Sequence, residues 1–505
     1  YSLGDSWAIS VPAQRVLDNF RDGGSISAAQ TRLIIRPLLE AVIELPLAHA
    51  YLLAVFTRDD VNCSKKTFTK IINILLRKWH KSIVAPGEMV GTIAAQSVGE
   101  PTTQMSASYE TEVMIDINGI VKRVQIGQLI DSILGNTFRE SQEMPVSNLK
   151  CIGVSPTEEV KWTNITHVSR HPANGTMLNV NTVHNRTLDM TASHSFLVRR
   201  NNRIVAMPGH RLVIGDALPI VKNLPKHRSD ERQLIELNAI SGHFVGAMLA
   251  EGYCNTKSIS FCGTDDDWCR TIGQKFADSI GLPCIVRKTP STLPEMTTVT
   301  FHSPKLAAYF SQNFGNKTMP GWVLSAPDMF VSALLQSYFD GNGNCTHNCI
   351  RCPSVSKSLV EMVSLCLARF GIPCYIGKSP AGGLIWEVRI PAAFAKKFRE
   401  HVGFSMEYKK EKLYQLCNLK KGFQARIPGM AGGLSALRTH MTSKEIRDSR
   451  GITPKILQTL FTKAQQNNIP ENILKELEQA IQADVWWDPI QSIKQYESEA
   501  LVYDF

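Results

Sequence analysis

The chain has 505 residues, which is too long for one ordinary domain, so we expect two to four compact units. Because 43% of the residues are hydrophobic and 20% are charged, the chain can bury hydrophobic cores, and these proportions exclude an intrinsically disordered protein. A net charge of +10 permits binding to a polyanion.

No membrane-spanning or secretory segment is predicted. The apolar run LLEAVIELPLAHAYLLAVF is interrupted by two Glu, a Pro and a His, which argues against a membrane span. No charged-then-apolar leader follows Tyr1, so we expect no signal peptide and an internal fragment of a soluble protein.

The residues up to Met105 fall into two stretches of different character. Residues 29–83 carry apolar side chains at helical spacing, which predicts helices. The next stretch, VAPGEMVGTIAAQSVGEPTTQM, ends at Met105 and is rich in Gly, Pro and small residues, which predicts a loop, a helix and a loop. This stretch closely resembles the part of the RNA polymerase II largest subunit that leads into the trigger loop.

The polymerase resemblance implies a function for the assembled enzyme. It implies DNA-templated RNA synthesis, other polymerase subunits as partners and a nuclear location. The catalytic magnesium site is expected outside this chain, because no NADFDGD-like aspartate loop is present. In that family a threonine follows Met105 and opens the trigger loop, whereas here Ser106 begins a different sequence.

Separated motifs after Met105 occur in the order found in inteins, which are self-excising insertions. SASYETEVMIDINGIVKRVQIGQLI resembles the amino end of an intein, and TLDMTASHSFLV carries Thr191 and His194 in a T-x-x-H arrangement. GHRLVIGDALPI is similar to a family strand with a turn at Gly215 and Asp216. The end of the chain, DVWWDPIQSIKQYESEALVYDF, resembles the strand pair that completes the splicing domain.

The intein resemblance implies chemistry that needs no cofactor. Ser106 Oγ would attack the Met105 carbonyl and convert the peptide bond to an ester. His194 would hydrogen-bond the scissile amide and protonate the departing amine, and Thr191 would hold the amide or its oxyanion. Asp504 matches an aspartate that the family uses to coordinate the later steps.

One feature of the family pattern is missing from the sequence. Inteins end in an Asn, usually after a His, and a Ser, Thr or Cys follows to accept the upstream segment. The sequence stops at Phe505 before any of these residues. If Phe505 is the true end, we expect rearrangement or hydrolysis at Ser106 without splicing.

A repeat lies between the two ends of the insertion. FVGAMLAEG and ALLQSYFDG are apolar helical runs that each close with an acid and a glycine. At almost equal distances after them come the similar stretches GLPCIVRK and GIPCYIGK. Matched ends at equal spacing predict a duplicated unit of helix, strands and helix, packed with pseudo-two-fold symmetry.

The paired motifs resemble those of the LAGLIDADG, or dodecapeptide, homing endonucleases. In that fold the two motif helices pack together and their last acidic residues meet beneath DNA. Gly242, Gly246 and Ala250 would give the first helix a small-residue face, and Ala333 and Ser337 would give the second helix a weaker one.

The endonuclease resemblance implies a magnesium site for phosphodiester hydrolysis. Glu251 and Asp340 close the two motifs, and two neighbouring carboxylates favour a cation such as Mg²⁺. Basic residues are expected near each carboxylate. Lys317 is the first choice and Lys357 the second, each with the alternative of a solvated surface charge.

These patterns, with the resemblances they carry, imply a multidomain α+β chain. The five predicted segments are a helical polymerase segment (1–105), the first part of an all-β horseshoe, or Hint, splicing domain (106–225), an αββαββα endonuclease (235–400), a helical connector without assigned function (401–479) and the last part of the splicing domain (480–505). Two alternatives stay open: polymerase scaffold with a catalytically dead insertion, and a hedgehog-like autoprocessing domain on an unrelated protein.

Overall fold

The structure is a computed structural model. It describes residues 106–505 except for 136–140, 174, 201–202, 226–232, 290–294, 380–383, 420–425, 431–451, 468, 470 and 499. The predicted polymerase segment, including Met105, lies outside the described residues.

Strands from both ends of the described chain form one β domain. Its described residues also include an α-helix, α1, and a short 3-10 helix, Gly209–Arg211. Its elements are β1 Ala107–Ser108, β2 Glu112–Ile117, β3 Ile120–Gln125, α1 Ile126–Leu134, β4 Gln142–Pro145, β5 Leu149–Val154, β6 Val160–Asn164, β7 His167–Pro172, β8 Gly175–Thr182, β9 Thr187–Thr191, β10 Ser195–Arg200, β11 Arg203–Pro208 and β12 Ala217–Val221, and then, at the carboxyl end, β21 Val485–Ser498 and β22 Leu501–Asp504.

The largest sheet shows why the two ends form a single domain. Its strand order is β12-β21-β8-β9-β1-β22-β7-β4, so the two carboxyl-terminal strands lie among the amino-terminal ones. Strand β1 pairs with β9 on one side and with β22 on the other, antiparallel to both. The prediction that residues from both ends complete one domain is confirmed.

The predicted Gly-Asp turn fastens β21 to the domain. Gly215 adopts φ +97°, a left-handed conformation that favours glycine. The Gly215 N–H donates to Ile490 O at 3.0 Å, and the Ile490 N–H donates to Asp216 O at 2.7 Å. These bonds hold β21 beside β12 at the point where the chain returns from the inserted domain.

The region between the two ends is a duplicated domain, as predicted. Its first unit contains α2 Ala239–Glu251, β13 Gly252–Cys254, β14 Ser258–Gly263, α3 Asp266–Ile280, β15 Ile285–Thr289, β16 Met296–His302 and α4 Pro304–Phe314. Its second unit contains α5 Asp328–Asn342, β17 Asn344–Cys345, β18 Cys349–Ser354, α6 Lys357–Arg369, β19 Tyr375–Lys378, β20 Trp386–Pro391 and α7 Ala395–His401. The sheets have matching orders, β13-β14-β16-β15 and β17-β18-β20-β19.

The two motif helices pack through small residues. A Cβ atom added to Gly242 would lie 3.0 Å from Ala333 Cβ, and one added to Gly246 would lie 2.9 Å from Ser337 Cβ and even closer to the Leu334 carbonyl. Helices α2 and α5 therefore approach at backbone distance. The predicted small-residue faces are confirmed.

Replacing Gly246 by alanine should destabilise the duplicated domain by about 1–3 kcal/mol, because the new methyl group would collide with the backbone of α5. Urea unfolding of the two proteins would measure the difference. Gly315→Ala is the matched control, since a Cβ there meets only Ser311 Oγ, at 3.9 Å. Equal losses in both variants would contradict close helix packing as the cause.

The predicted boundary at residue 400 lies too early. A further helix, α8 Glu407–Cys417, buries Leu413 and Leu416 in the same core as the motif helices. Two later helices, α9 Pro454–Gln466 and α10 Glu471–Gln482, share a separate core. The segment predicted as one connector therefore divides between the duplicated domain and a separate helical pair.

Candidate functional site

Ser106 is held at the amino end of β1 by its neighbour β9. Its amide N–H donates to Thr191 Oγ1 at 3.0 Å, and its carbonyl accepts from the Thr191 N–H at 2.8 Å. The nitrogen is that of the Met105–Ser106 peptide bond, so Thr191 holds the predicted scissile amide. Ser106 is 0% exposed, and its hydroxyl is shielded from bulk water.

The Ser106 hydroxyl contacts His171, a residue that the sequence did not single out. Ser106 Oγ lies 2.9 Å from His171 Nε2. His171 is buried on β7, opposite Val502 of β22. No local pattern marks this histidine, because only the pairing of strands distant in sequence brings it to Ser106.

His194 lies in the turn after β9. Its backbone N–H donates to Thr191 O at 3.0 Å, so the turn holds the histidine and the threonine together. The imidazole packs edge-on against Phe196, with ring centroids 5.4 Å apart. The T-x-x-H motif thus forms one local unit beside Ser106, and the proton-donating role of His194 stays a prediction.

Asp504 reaches the same place from the carboxyl end of the chain. Ala107 pairs with Tyr503, so the antiparallel register continues to set Asp504 opposite Ser106. Asp504 Oδ1 accepts from the Phe505 N–H at 2.7 Å. Burial raises the pKa of Asp504 to about 7, and the bond from Phe505 opposes that rise.

The free energy of unfolding should depend on pH through Asp504. In the unfolded chain this carboxyl loses its proton near its ordinary pKa of 3.8, whereas in the folded chain it does so at about 7. Burial of the charge therefore costs stability progressively as pH rises between these values, and the cost is constant above them. Asp504→Asn removes that cost.

The stabilisation that Asp504→Asn brings should be larger at pH 8 than at pH 5. Melting temperatures of both proteins at the two pH values would measure it. Asp189→Asn is a control at a carboxylate that hydrogen-bonds the Tyr496 hydroxyl near the surface. An Asp504→Asn effect that is the same at both pH values would contradict the raised pKa.

A second candidate site lies at the carboxyl ends of the paired motif helices. Gly341 follows Asp340 at the end of α5, and a Cβ there would lie 2.5 Å from Ala250 Cβ and 4.0 Å from Glu251 Cγ. The two helix ends therefore meet, as predicted. Glu251, the last residue of α2, is exposed.

Lys317 caps the first of these helix ends. Its Nζ donates to the Ala250 carbonyl at 2.8 Å, with longer contacts to the carbonyls of Met248 and Gly252 at 3.4 and 3.3 Å. A cation is favoured there by the partial negative charge of a helix carboxyl end. Burial lowers the pKa of Lys317, and the nearby Glu251 opposes that change.

The backbone around Lys317 is strained. Asn316 and Lys317 both have φ +53°, a left-handed conformation that costs a residue with a Cβ roughly 1–2 kcal/mol. Such strain persists where the surrounding structure enforces it and is common at functional sites. The strain supports the choice of Lys317 as a site residue.

At the end of the second motif helix, α5, the acidic side chain is buried and hydrogen-bonded. Asp340 is buried, its Oδ1 accepts from the Ser405 N–H at 2.9 Å, and its Oδ2 accepts from the Ser405 hydroxyl at 2.6 Å. Burial raises the pKa of Asp340, and the bonds from Ser405 oppose that rise. Lys409 donates to the carbonyls of Phe339 and Asp340.

Lys409 lies at the second helix end as Lys317 lies at the first, whereas Lys357, the second basic residue predicted, lies away from both ends. Lys357 begins α6, where it pairs with Glu361 at 3.5 Å and lies over the Trp386 ring. Lys409 was missed because it follows the predicted boundary at residue 400. Its spacing from Asp340 is close to that of Lys317 from Glu251, and this similarity would have identified it.

The donor atoms at the helix ends suit magnesium in part. Carboxylate and carbonyl oxygens are hard ligands, and Mg²⁺ commonly takes one or two carboxylates with water and phosphate. Glu251 is exposed and fits this role. The Asp340 carboxylate instead accepts a hydrogen bond from the Ser405 hydroxyl. Among the described residues no group of three or more His, Cys, Asp or Glu side chains could hold a metal ion.

No helix in the described part of the chain is long and apolar enough to span a membrane.

Two family models match the chain. The intein splicing domain matches residues 116–505, and RNA polymerase Rpb1, domain 5, matches residues 21–111.

Three curated relatives come from Methanocaldococcus jannaschii. DNA-directed RNA polymerase subunit Rpo1C is 29% identical over 84% of this chain and 56% of its own length. Transcription initiation factor IIB is 32% identical over 32% of this chain and 24% of its own length. Replication factor C small subunit is 22% identical over 78% of this chain and 21% of its own length. The chain therefore spans about half of the polymerase subunit and smaller parts of the other two.

Two solved structures are similar to separate parts of the chain. The transcription factor IIB Mvu mini-intein is 27% identical, with a TM-score of 0.23, over 24% of this chain and 72% of its own. I-DmoI in complex with DNA and Mn is 15% identical, with a TM-score of 0.29, over 34% of this chain and 99% of its own.

Proposed function

Because this chain belongs to the intein splicing domain family, we propose that the segment beginning at Ser106 excises itself from a polymerase largest-subunit chain. The observation that most supports the proposal is the hydrogen bond that the Ser106 amide N–H donates to Thr191 Oγ1. An intein must activate one chosen peptide bond, and here strand pairing fixes that bond's nitrogen beside a buried nucleophile.

The residues at the junction suit an acyl shift. Attack by Ser106 Oγ on the Met105 carbonyl carbon breaks the peptide C–N bond and leaves an ester and a free amine. Thr191 Oγ1 accepts a hydrogen bond from the amide N–H and so orients the amide. We propose that His194, in the adjacent turn, protonates the leaving nitrogen. Asp504, opposite Ser106, joins the carboxyl end of the insertion to the same site.

The names of the relatives support an insertion. A polymerase subunit, a transcription initiation factor and a replication factor have different functions, yet each shares a segment with this chain. A mobile element carried by different host genes accounts for that distribution. A hedgehog-like autoprocessing domain on an unrelated protein does not account for both this distribution and the duplicated domain.

Hydroxylamine, which cleaves esters, tests the first step on the chain itself. We expect it to release residues 1–105, as seen by mass spectrometry, because the ester at Ser106 is the labile bond. Release at other positions, or none, would count against the proposal and favour a catalytically dead insertion.

The duplicated domain is proposed to be a magnesium-dependent DNA endonuclease. The support is the meeting of the two motif helices near Glu251 and Asp340, with a lysine capping each end: the half-buried Lys317 and the buried Lys409. When bound at Glu251, Mg²⁺ would supply an activated water and stabilise the leaving oxygen. The target would be the uninterrupted host sequence around the insertion point, and incubation of the chain with that duplex and Mg²⁺ tests the proposal.

The host protein, once spliced, is proposed to act in RNA synthesis with the other polymerase subunits. Unspliced subunit should not support RNA extension, because the insertion separates the polymerase segment from the host residues on its other side. The nuclear location stays a prediction from the resemblance to RNA polymerase II. The archaeal relatives do not support it.

A further inference from the structure

His171 contacts the atom that must become the nucleophile. Its Nε2 lies 2.9 Å from Ser106 Oγ, and both residues are buried, with His171 7% exposed and Ser106 0% exposed. A serine hydroxyl is a weak nucleophile near neutral pH and needs a base to take its proton. We propose that His171 is that base, a role that rests on the splicing function proposed above.

The second ring nitrogen fixes the tautomer that this role requires. His171 Nδ1 lies 3.0 Å from the Pro172 carbonyl oxygen, which can only accept a hydrogen bond. Nδ1 therefore carries the hydrogen of the neutral ring. Nε2 is left with a lone pair, so Ser106 Oγ is the donor and His171 the acceptor.

Two other titratable groups face the junction from neighbouring elements. Asp504 approaches on β22, and His194 lies in the turn after β9. The contact with Ser106 Oγ on which the proposal rests is that of His171 Nε2, at 2.9 Å. This arrangement separates the tasks: His171 receives the hydroxyl proton, and the predicted role of His194 is at the amide nitrogen on the Thr191 side.

The step balances without another reactant. The Oγ–H proton passes to His171 Nε2 as Oγ bonds to the Met105 carbonyl carbon. The C–N bond breaks, its electron pair stays on the Ser106 nitrogen, and that nitrogen takes one proton. One proton has then moved from oxygen to nitrogen, and His171 returns to its neutral form once its proton is passed on.

The test compares His171→Gln in two backgrounds. Glutamine can still accept a hydrogen bond from residue 106 but cannot serve as the base. With Ser106 intact, we expect His171→Gln to slow hydroxylamine-dependent release of residues 1–105 by roughly 100-fold or more. In the Ser106→Cys background the loss should be less than about 10-fold, because a thiol with a pKa of about 8.5 ionises without a strong base.

Each outcome decides between explanations. Release by the Ser106→Cys, His171→Gln protein would also show that the fold survives the substitution. Equal losses in the two backgrounds, or no loss with Ser106 intact, would overturn the base role while leaving splicing in place. No release from either background with His171 intact would overturn the splicing function and the base role together.

Discussion

Replacing Ser106 by alanine should abolish release of residues 1–105, because alanine has no oxygen to accept the upstream acyl group. Ser106 is buried and its hydroxyl hydrogen-bonds His171, so the substitution should also lower the free energy of unfolding by about 1–3 kcal/mol. Hydroxylamine treatment followed by mass spectrometry measures the first effect, and urea unfolding measures the second.

Ser108→Ala is the matched control for that substitution. Ser108 lies on the same short strand, and its hydroxyl bonds Thr111 Oγ1 at 3.0 Å, away from the junction. It should release the fragment at the rate of the unsubstituted chain. Release that survives Ser106→Ala would show that another nucleophile, or simple hydrolysis, breaks the chain.

Replacing Glu251 by glutamine should reduce DNA cleavage by at least about 100-fold, because a bound metal ion supplies several kcal/mol of charge stabilisation. Glu251 is exposed at the end of α2, so stability should not change. Rates of cleavage of the uninterrupted host duplex in Mg²⁺, with melting temperatures, measure both effects. Glu400→Gln, an exposed change on α7, is the control.

Asp340→Asn should behave differently from Glu251→Gln. Asp340 binds the Ser405 N–H and hydroxyl, so the substitution should lower the melting temperature as well as the rate of cleavage. Full cleavage by Glu251→Gln would contradict the metal role of Glu251. An unchanged melting temperature for Asp340→Asn would contradict the structural role of Asp340.

Features that depend on local spacing could be predicted from the sequence. Gly242 and Gly246 are one helical turn apart, so they share a helix face wherever α2 packs. The repeat predicted a duplicated unit of helix, strands and helix, and the two units have sheets of matching strand order. The T-x-x-H spacing placed Thr191 and His194 in one strand and turn.

The residues that the sequence did not reveal meet their partners through distant contacts. His171 reaches Ser106 only because β22, from the end of the chain, lies between β1 and β7. Ser405 and Lys409 reach Asp340 only because the chain after α7 folds back over the end of α5. The contact of His171 leaves no motif-like pattern in the sequence, whereas the position of Lys409 after Asp340 repeats the spacing of Lys317 after Glu251.

The intact mass of the chain, produced with the residues that its gene encodes after Phe505, tests the central claim most directly. Self-excision predicts two products: a free insertion whose mass begins at Ser106, and a ligated host chain in which Met105 joins the first residue beyond the insertion. Recovery of only the full-length precursor, with Ser106 intact and under conditions in which the chain is folded, would contradict self-excision.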